Sequence, residues 1–141
     1  MSVAYSLLYE FLCSAELPET YLPISAHIGQ TVQLPCRTNL SVGVDWWNLE
    51  RPSAAQRYVL ASGYIQNAFR PRFNVAGASD DGDYTLFIFD AKQSDSGFYV
   101  CFEDHGLGSS YGFRLTVSGR PISLMTRAKS TLHYITLENY L

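Results

Sequence analysis

Thr31-Val32-Gln33-Leu34-Pro35-Cys36 alternates polar and apolar side chains with a period of two. That is the pattern of a strand with one face in a core and the other toward water. Ile24 to Arg37 therefore reads as two strands broken by a turn at Gly29-Gln30. Pro35 falls on the outward face, a place it tolerates where its nitrogen points away from the ladder, as on a sheet edge. After a polar connection from Thr38 to Gly43, Val44 to Leu49 gives the next strand. If Trp47 pointed inward, Asp45 would be buried beside it without an evident partner, which is costly. Trp46 is thus expected in the core with Val44, and Asp45 and Trp47 outside.

Arg51-Pro52-Ser53 reads as a turn, followed by short strands at Arg57 to Ala61, from Gly63-Tyr64-Ile65, and at Arg72 to Val75. The Gly-, Ser- and Asp-rich tract Ala76 to Asp83 is expected to be a hairpin loop. Tyr84 to Phe89 sets Tyr84, Leu86 and Ile88 on one face and Thr85, Phe87 and Phe89 on the other. Asp90 to Ser96 turns into a strand from Gly97 to Glu103, and the glycine-containing Asp104 to Ser110 connects it to a closing strand. In that strand Tyr111, Phe113, Leu115 and Val117 share a face. The expectation is an all-β chain of about nine short strands without a convincing internal helix. Ser118-Gly119-Arg120-Pro121 ends the domain, and Ile122 to Leu141 has no clear period.

A length of 141 residues suits one domain with extensions, and ten Tyr and eight Phe favour sheet over helix. The net charge of −3 with no long basic run argues against a nucleic-acid surface. No apolar run reaches the ~18 residues of a membrane span. His27, His105 and His133 are widely separated, so no metal set is expected. Asp80-Asp81-Gly82-Asp83 lacks the ligand spacing of a calcium loop. No nucleophile-turn motif is present, and neither an enzyme nor a cofactor is expected. Asn39-Leu40-Ser41 is an N-glycosylation acceptor in a loop, at Asn39.

The run Asp95-Ser96-Gly97-Phe98-Tyr99-Val100-Cys101 has the form Asp-x-Gly-x-Tyr-x-Cys, with Cys36 upstream and Trp46 between the two cysteines. With Gly29 to Cys36 and Leu86-Phe87-Ile88, it makes residues 23–118 resemble a variable-type immunoglobulin domain, flanked by an extension at 1–22 and a tail or linker at 119–141. The resemblance implies an immunoglobulin-like antiparallel β-sandwich with Greek-key connections. It also implies a Cys36–Cys101 disulfide, a core of Trp46 and Leu86, a corner anchored by Tyr99, and an Arg72–Asp95 ion pair at the base. Trp47 stands where Tyr or Phe is more usual, and Ser110-Tyr111-Gly112-Phe113 replaces the Phe-Gly-x-Gly bulge of antigen receptors. A general recognition domain of the superfamily fits better.

An inter-sheet disulfide needs an oxidising compartment, hence a secreted or cell-surface location. Met1 to Ala15 carries Val3, Leu7, Leu8, Phe11 and Leu12 but lacks a basic start and holds Glu10. It reads either as a poor signal peptide, cleaved near Ser14-Ala15 with loss of Cys13, or as a misassigned or truncated N-terminus. Because Trp46, Tyr99 and Cys101 face inward, Trp47, Val100 and Phe102 are expected to form one outward apolar patch on neighbouring strands. Such a patch suggests a surface for a protein partner or a second copy of the chain. The alternative is a structural spacer in a larger, filament-associated protein, with Cys36 and Cys101 reduced.

Overall fold

The computed structural model describes residues 16–39, 43–76 and 81–119. Among them, nine strands form in chain order: β1 (Tyr21–His27), β2 (Val32–Leu34), β3 (Val44–Asn48), β4 (Tyr58–Ala61), β5 (Tyr64–Ile65), β6 (Phe73–Val75), β7 (Leu86–Ile88), β8 (Gly97–Glu103) and β9 (Ser110–Ser118). They make a six-stranded sheet in the order β1-β9-β8-β3-β4-β5 and a three-stranded sheet β2-β7-β6. This is the variable-type immunoglobulin sandwich expected from the sequence. Cys13 and the tail beyond Gly119 lie outside the described residues.

Pairing is antiparallel except that β1 runs parallel to β9, from Tyr21 against Gly112 to His27 against Ser118. A second difference is one helical turn, Ala54–Arg57, ahead of β4. Ser53 caps it, its hydroxyl accepting from the backbone N–H of Gln56 at 3.3 Å. A single turn is too short to leave a helical period in the sequence.

Inward-facing residues of both sheets build the core: Val32, Leu34, Trp46, Leu60, Leu86, Ile88, Tyr99, Phe113 and Leu115 among them. The disulfide between Cys36 and Cys101 ties the two sheets across this core. Trp46 stands opposite Cys101 in the β3–β8 ladder. Its indole N–H donates to the Tyr84 carbonyl at 2.8 Å, which satisfies the polar atom of a fully buried ring.

At the base, the Arg72 guanidinium donates to both carboxylate oxygens of Asp95, each at 2.7 Å. Asp95 also accepts from the backbone N–H of Lys92 at 2.8 Å. The Tyr99 hydroxyl donates to the Asp95 carbonyl at 2.6 Å and accepts from the Asn48 amide at 3.3 Å. Burial pushes the Tyr99 phenol well above its ordinary pKa. Tyr99→Phe is expected to destabilise the domain by about 1–3 kcal/mol, because it leaves a buried carbonyl and an amide without their partner. Urea unfolding of the two proteins checks this, and an unchanged midpoint would contradict it.

Candidate functional site: the outer face of the six-stranded sheet

Residues opposite one another in a ladder point the same way, so the register sorts the six-stranded sheet into two faces. Trp46 pairs with Cys101, and Tyr99 with Phe113, on the core side. Asp45 pairs with Phe102, Trp47 with Val100, Val100 with Gly112, and Phe98 with Arg114 on the opposite side. A bulge between Trp46 and Trp47 places Tyr58 opposite Trp47 and keeps it on this outer face, while Val59 and Leu60 are both buried.

The expected patch of Trp47, Val100 and Phe102 is corrected here in one respect. All three lie on the outer face, but Val100 is 0% and Phe102 1% exposed. Neither belongs to the main core cluster. They form a thin second apolar layer beneath a roof of rings. The Trp47 ring meets Phe102 edge-on at 4.9 Å and Tyr58 at 5.2 Å. On the other flank the Tyr21 ring lies over Gly112 and meets Phe98 edge-on at 5.0 Å. A Cβ at position 112 would stand 2.5 Å from the Tyr21 ring and 2.7 Å from Pro18. Gly112 is thus what lets the N-terminal segment close over Val100.

What a partner can touch is the roof: half-buried Trp47, Tyr58 and Tyr21, and exposed Phe98. Tyr64 at the β5 edge and Leu107 at the tip of the β8–β9 hairpin are exposed beside it. The Trp47 indole N–H is buried without an acceptor among the described residues. Burial raises the pKa of Tyr58, with the Asp45 carboxylate adding to it, and burial also raises that of Tyr21.

Asp45 faces outward as expected but is not solvated. It is buried, with its carboxylate 2.9 Å from Nδ1 of His105 on the β8–β9 hairpin. Asp104 and His105 hold left-handed backbone conformations, with φ of 48° and 53°. The Asp104 N–H donates to the Gly43 carbonyl at 3.0 Å, a second tie from hairpin to β3. Glu103, also buried, accepts from the Tyr111 hydroxyl at 2.9 Å, and that hydrogen bond raises the Tyr111 pKa.

Away from this face, a pocket of about 580 Å³ opens beside the bare edge of β2. Leu22, Pro35, Tyr111 and Phe113 line it, with Glu19 and Arg37 the charged residues among its described lining. Leu22 stands in register with the core residue Phe113 yet is 53% exposed, because β1 pairs with β9 and leaves the gap between the sheets open there. Asn39 is exposed. Among the described residues there is no group of three or more His, Cys, Asp and Glu that could hold a metal. No described helix is long and apolar enough to cross a membrane.

Comparison with known proteins agrees with this architecture. The family profile for the Immunoglobulin V-set domain matches residues 19–118. The chain is 26% identical over 126 residues to the mouse (Mus musculus) hepatitis A virus cellular receptor 1 homolog, a match covering 80% of this chain and 41% of that protein. It therefore spans less than half of that relative. Among solved structures, Dpr2 Ig1-Ig2 in complex with DIP-Theta Ig1-Ig3 is similar at 26% identity and a TM-score of 0.57, covering 73% of this chain and 46% of that one. The human TIM members are similar at 26% identity and a TM-score of 0.52, covering 70% of this chain and 99% of theirs.

Proposed function

The chain belongs to the immunoglobulin V-set family, and from that footing we propose that it is a non-enzymatic recognition module, secreted or at the cell surface, that binds a protein partner through the outer face of its six-stranded sheet. One observation carries the reading: Trp47, Tyr58, Tyr21 and Phe98 gather on a sheet face that no second sheet covers among the described residues. Flat aromatic rings offer large contact area at low entropic cost and supply most interface hot spots. Similarity to a receptor homolog and to an immunoglobulin pair solved as a complex supports a binding role.

The test compares two exposed phenylalanines on opposite sheets. Phe98 is 37% exposed on the proposed face, and Phe89 is 42% exposed just after β7 of the other sheet. A fluorescent tetramer of the domain is titrated onto cells of the source tissue as wild type, Phe98→Glu and Phe89→Glu. Phe98→Glu is expected to weaken binding by at least about tenfold, the effect of losing one interface anchor, while Phe89→Glu binds as wild type. Equal binding by all three proteins, each with an unchanged unfolding temperature, would exclude this face. Trp47→Ala is a weaker probe, because removing that ring also uncovers Phe102.

We also propose that Asn39 carries an N-linked glycan in the secreted protein, since its side chain is exposed in an acceptor triplet. Amidase treatment of protein from a mammalian host should increase its gel mobility, and Asn39→Gln should remove the effect. A wild-type protein indifferent to the amidase would refute it.

A further inference from the structure

The base of the sandwich holds three arginines whose charge nothing answers. Arg51 lies in the turn after β3, Arg57 closes the helical turn ahead of β4, and Arg70 follows a single 3₁₀ turn, Asn67–Phe69. Each side chain is placed by a contact that leaves the terminal nitrogens of its guanidinium uncommitted. The Arg51 guanidinium carbon stands 4.7 Å over the centroid of the buried Phe69 ring, a cation–π contact. Arg57 donates through Nε to the Arg51 carbonyl at 3.0 Å, and Arg70 through Nε to the Ile65 carbonyl at 2.8 Å. Among the described residues the ion pairs are Arg37–Asp83, Arg72–Asp95 and His105–Asp45, so none of these three arginines has a carboxylate partner.

The three belong to one patch, because Arg57 is bonded to Arg51 and Arg51 covers the ring of the residue that precedes Arg70. Arg72 is close by, over the ring of Phe73, but its guanidinium is committed to Asp95 and to two carbonyls. Glu50, which accepts the Phe98 N–H at 3.2 Å, is counted here at its full negative charge. Arg51, Arg57, Arg70 and Arg72 set against Glu50 and Asp95 still leave positive charge in excess, and including Asp90 and Lys92 leaves the balance unchanged. A chain of net charge −3 thus keeps a cationic surface, built from separate turns rather than from a basic run.

The surroundings select the kind of anion. Ser53, Gln56 and Asn67 are exposed among the arginines, and none of the exposed large apolar residues falls in 51–57 or 66–70. A membrane surface would call for apolar side chains among the basic ones, and a single-stranded nucleic acid for exposed rings on which bases stack. A lone phosphate would need donors converging on one point, whereas these guanidinium groups are anchored at three: a turn carbonyl, a ring face and a carbonyl of β5. A linear chain of sulfates and hydroxyls suits all of this. Its sulfates take the planar guanidinium forks, and its hydroxyls take the amide and hydroxyl side chains between them.

We propose that the base of the domain binds a linear sulfated glycan through Arg51, Arg57 and Arg70. The inference goes beyond the aromatic face and uses none of its rings. The experiment titrates a fluorescent heparin decasaccharide with the full chain, oxidised, at about 0.15 M salt, where long-range attraction is screened. The proteins are wild type, Arg57→Ser, Arg70→Ser, the double variant and Arg37→Ser. Arg51 is left in place because removing it would uncover Phe69. Arg37→Ser is the control: it removes the same charge beyond the other end of β2, where Arg37 pairs with Asp83. Each single change at the base is expected to weaken binding about threefold or more and the pair about tenfold, with the slope of log affinity on log salt falling by about one for each arginine lost. Arg37→Ser binds as wild type, and the desulfated decasaccharide binds none of the proteins. That pattern, with unfolding temperatures unchanged, establishes the site. Equal losses in Arg37→Ser and the base variants would reduce the effect to overall charge and overturn it. So would a wild type that leaves the decasaccharide unbound up to ~1 mM. Tighter binding to phosphatidylserine vesicles than to the decasaccharide, lost in the same base variants, would overturn the glycan and assign the patch to a membrane surface.

Discussion

Replacing Cys36 and Cys101 together by alanine is expected to lower the unfolding free energy by about 4 kcal/mol. The bond closes a loop of 65 residues between the two sheets. In the chain-entropy treatment, releasing a loop of that length returns about that much freedom to the unfolded chain. Both sulfurs are buried in the core cluster, so two small voids add to the loss. For a domain whose whole stability is ~5–15 kcal/mol, this is a large fraction. The unfolding temperature should fall by roughly 20 °C, at 4–8 °C per kcal/mol for a domain near 100 residues. Calorimetry of the double mutant in oxidising buffer measures it, and wild type held in reductant, which loses the bridge but keeps both sulfurs, separates the loop term from the voids. A loss below about 1 kcal/mol would mean that the bridge adds little to what the core already holds. The same pair of measurements separates an extracellular module from an intracellular spacer, since a domain adapted to reduced cysteines would hardly respond.

The sandwich was legible because its signals are local. Alternation in Thr31 to Cys36 and Tyr84 to Phe89 marks strands directly, and the Asp95-to-Cys101 run fixes a corner whose parts are all within a few residues. The outer face was legible only as a direction. A period of two says that Val100 points away from Cys101, but not what lies above it. The cover comes from Trp47 on β3, Tyr58 across a bulge in β4, and Tyr21 reaching from β1 over Gly112. Trp47 was readable as an outward neighbour of Val100; Tyr58 left no local sign, and Tyr21 left only an indirect one, a glycine inside the closing strand, which marks close approach by another group.

Asp45 went astray for a related reason. Its outward direction follows from the cost of burying a lone carboxylate. Its partner, however, is 60 positions away, on a hairpin bent through two successive left-handed residues. Neither Asp104 nor His105 is a glycine, so nothing local announces that bend. His105, weighed from the sequence only as a metal ligand, instead ties the hairpin down beside the face. Glu103 and Tyr111 form a similar pair across the β8–β9 hairpin. Where a polar residue is satisfied by a distant partner, pattern gives its direction and tertiary structure alone gives its burial.

Arg72→Ala is expected to cost about 3 kcal/mol, more than any surface ion pair would suggest. The Asp95 side chain is only 6% exposed, and it is the partner left behind. With Arg72 present, both its oxygens are occupied by a bidentate fork, and Arg72 donates again to the carbonyls of Phe89 and Asp90 at 3.3 and 3.2 Å. Hydrogen bonding to Asp95 raises the Arg72 pKa further above its already high value, so this cation is present at every working pH. Removing it strands a nearly buried carboxylate, for which losses of about 3–5 kcal/mol are typical; the 26% exposure of the Arg72 side chain places this one at the low end. Arg72→Lys should recover only part of the loss, because an ammonium cannot reproduce the fork and both carbonyl contacts at once. Arg72→Ala with Asp95→Ala should cost well below the sum of the single losses, since the second change removes the charge that the first left unpaired. Urea unfolding of the four proteins gives the coupling directly. Agreement with the simple sum to within about 0.5 kcal/mol would show that the two side chains act independently and that the base of the sandwich is held by Tyr99 alone.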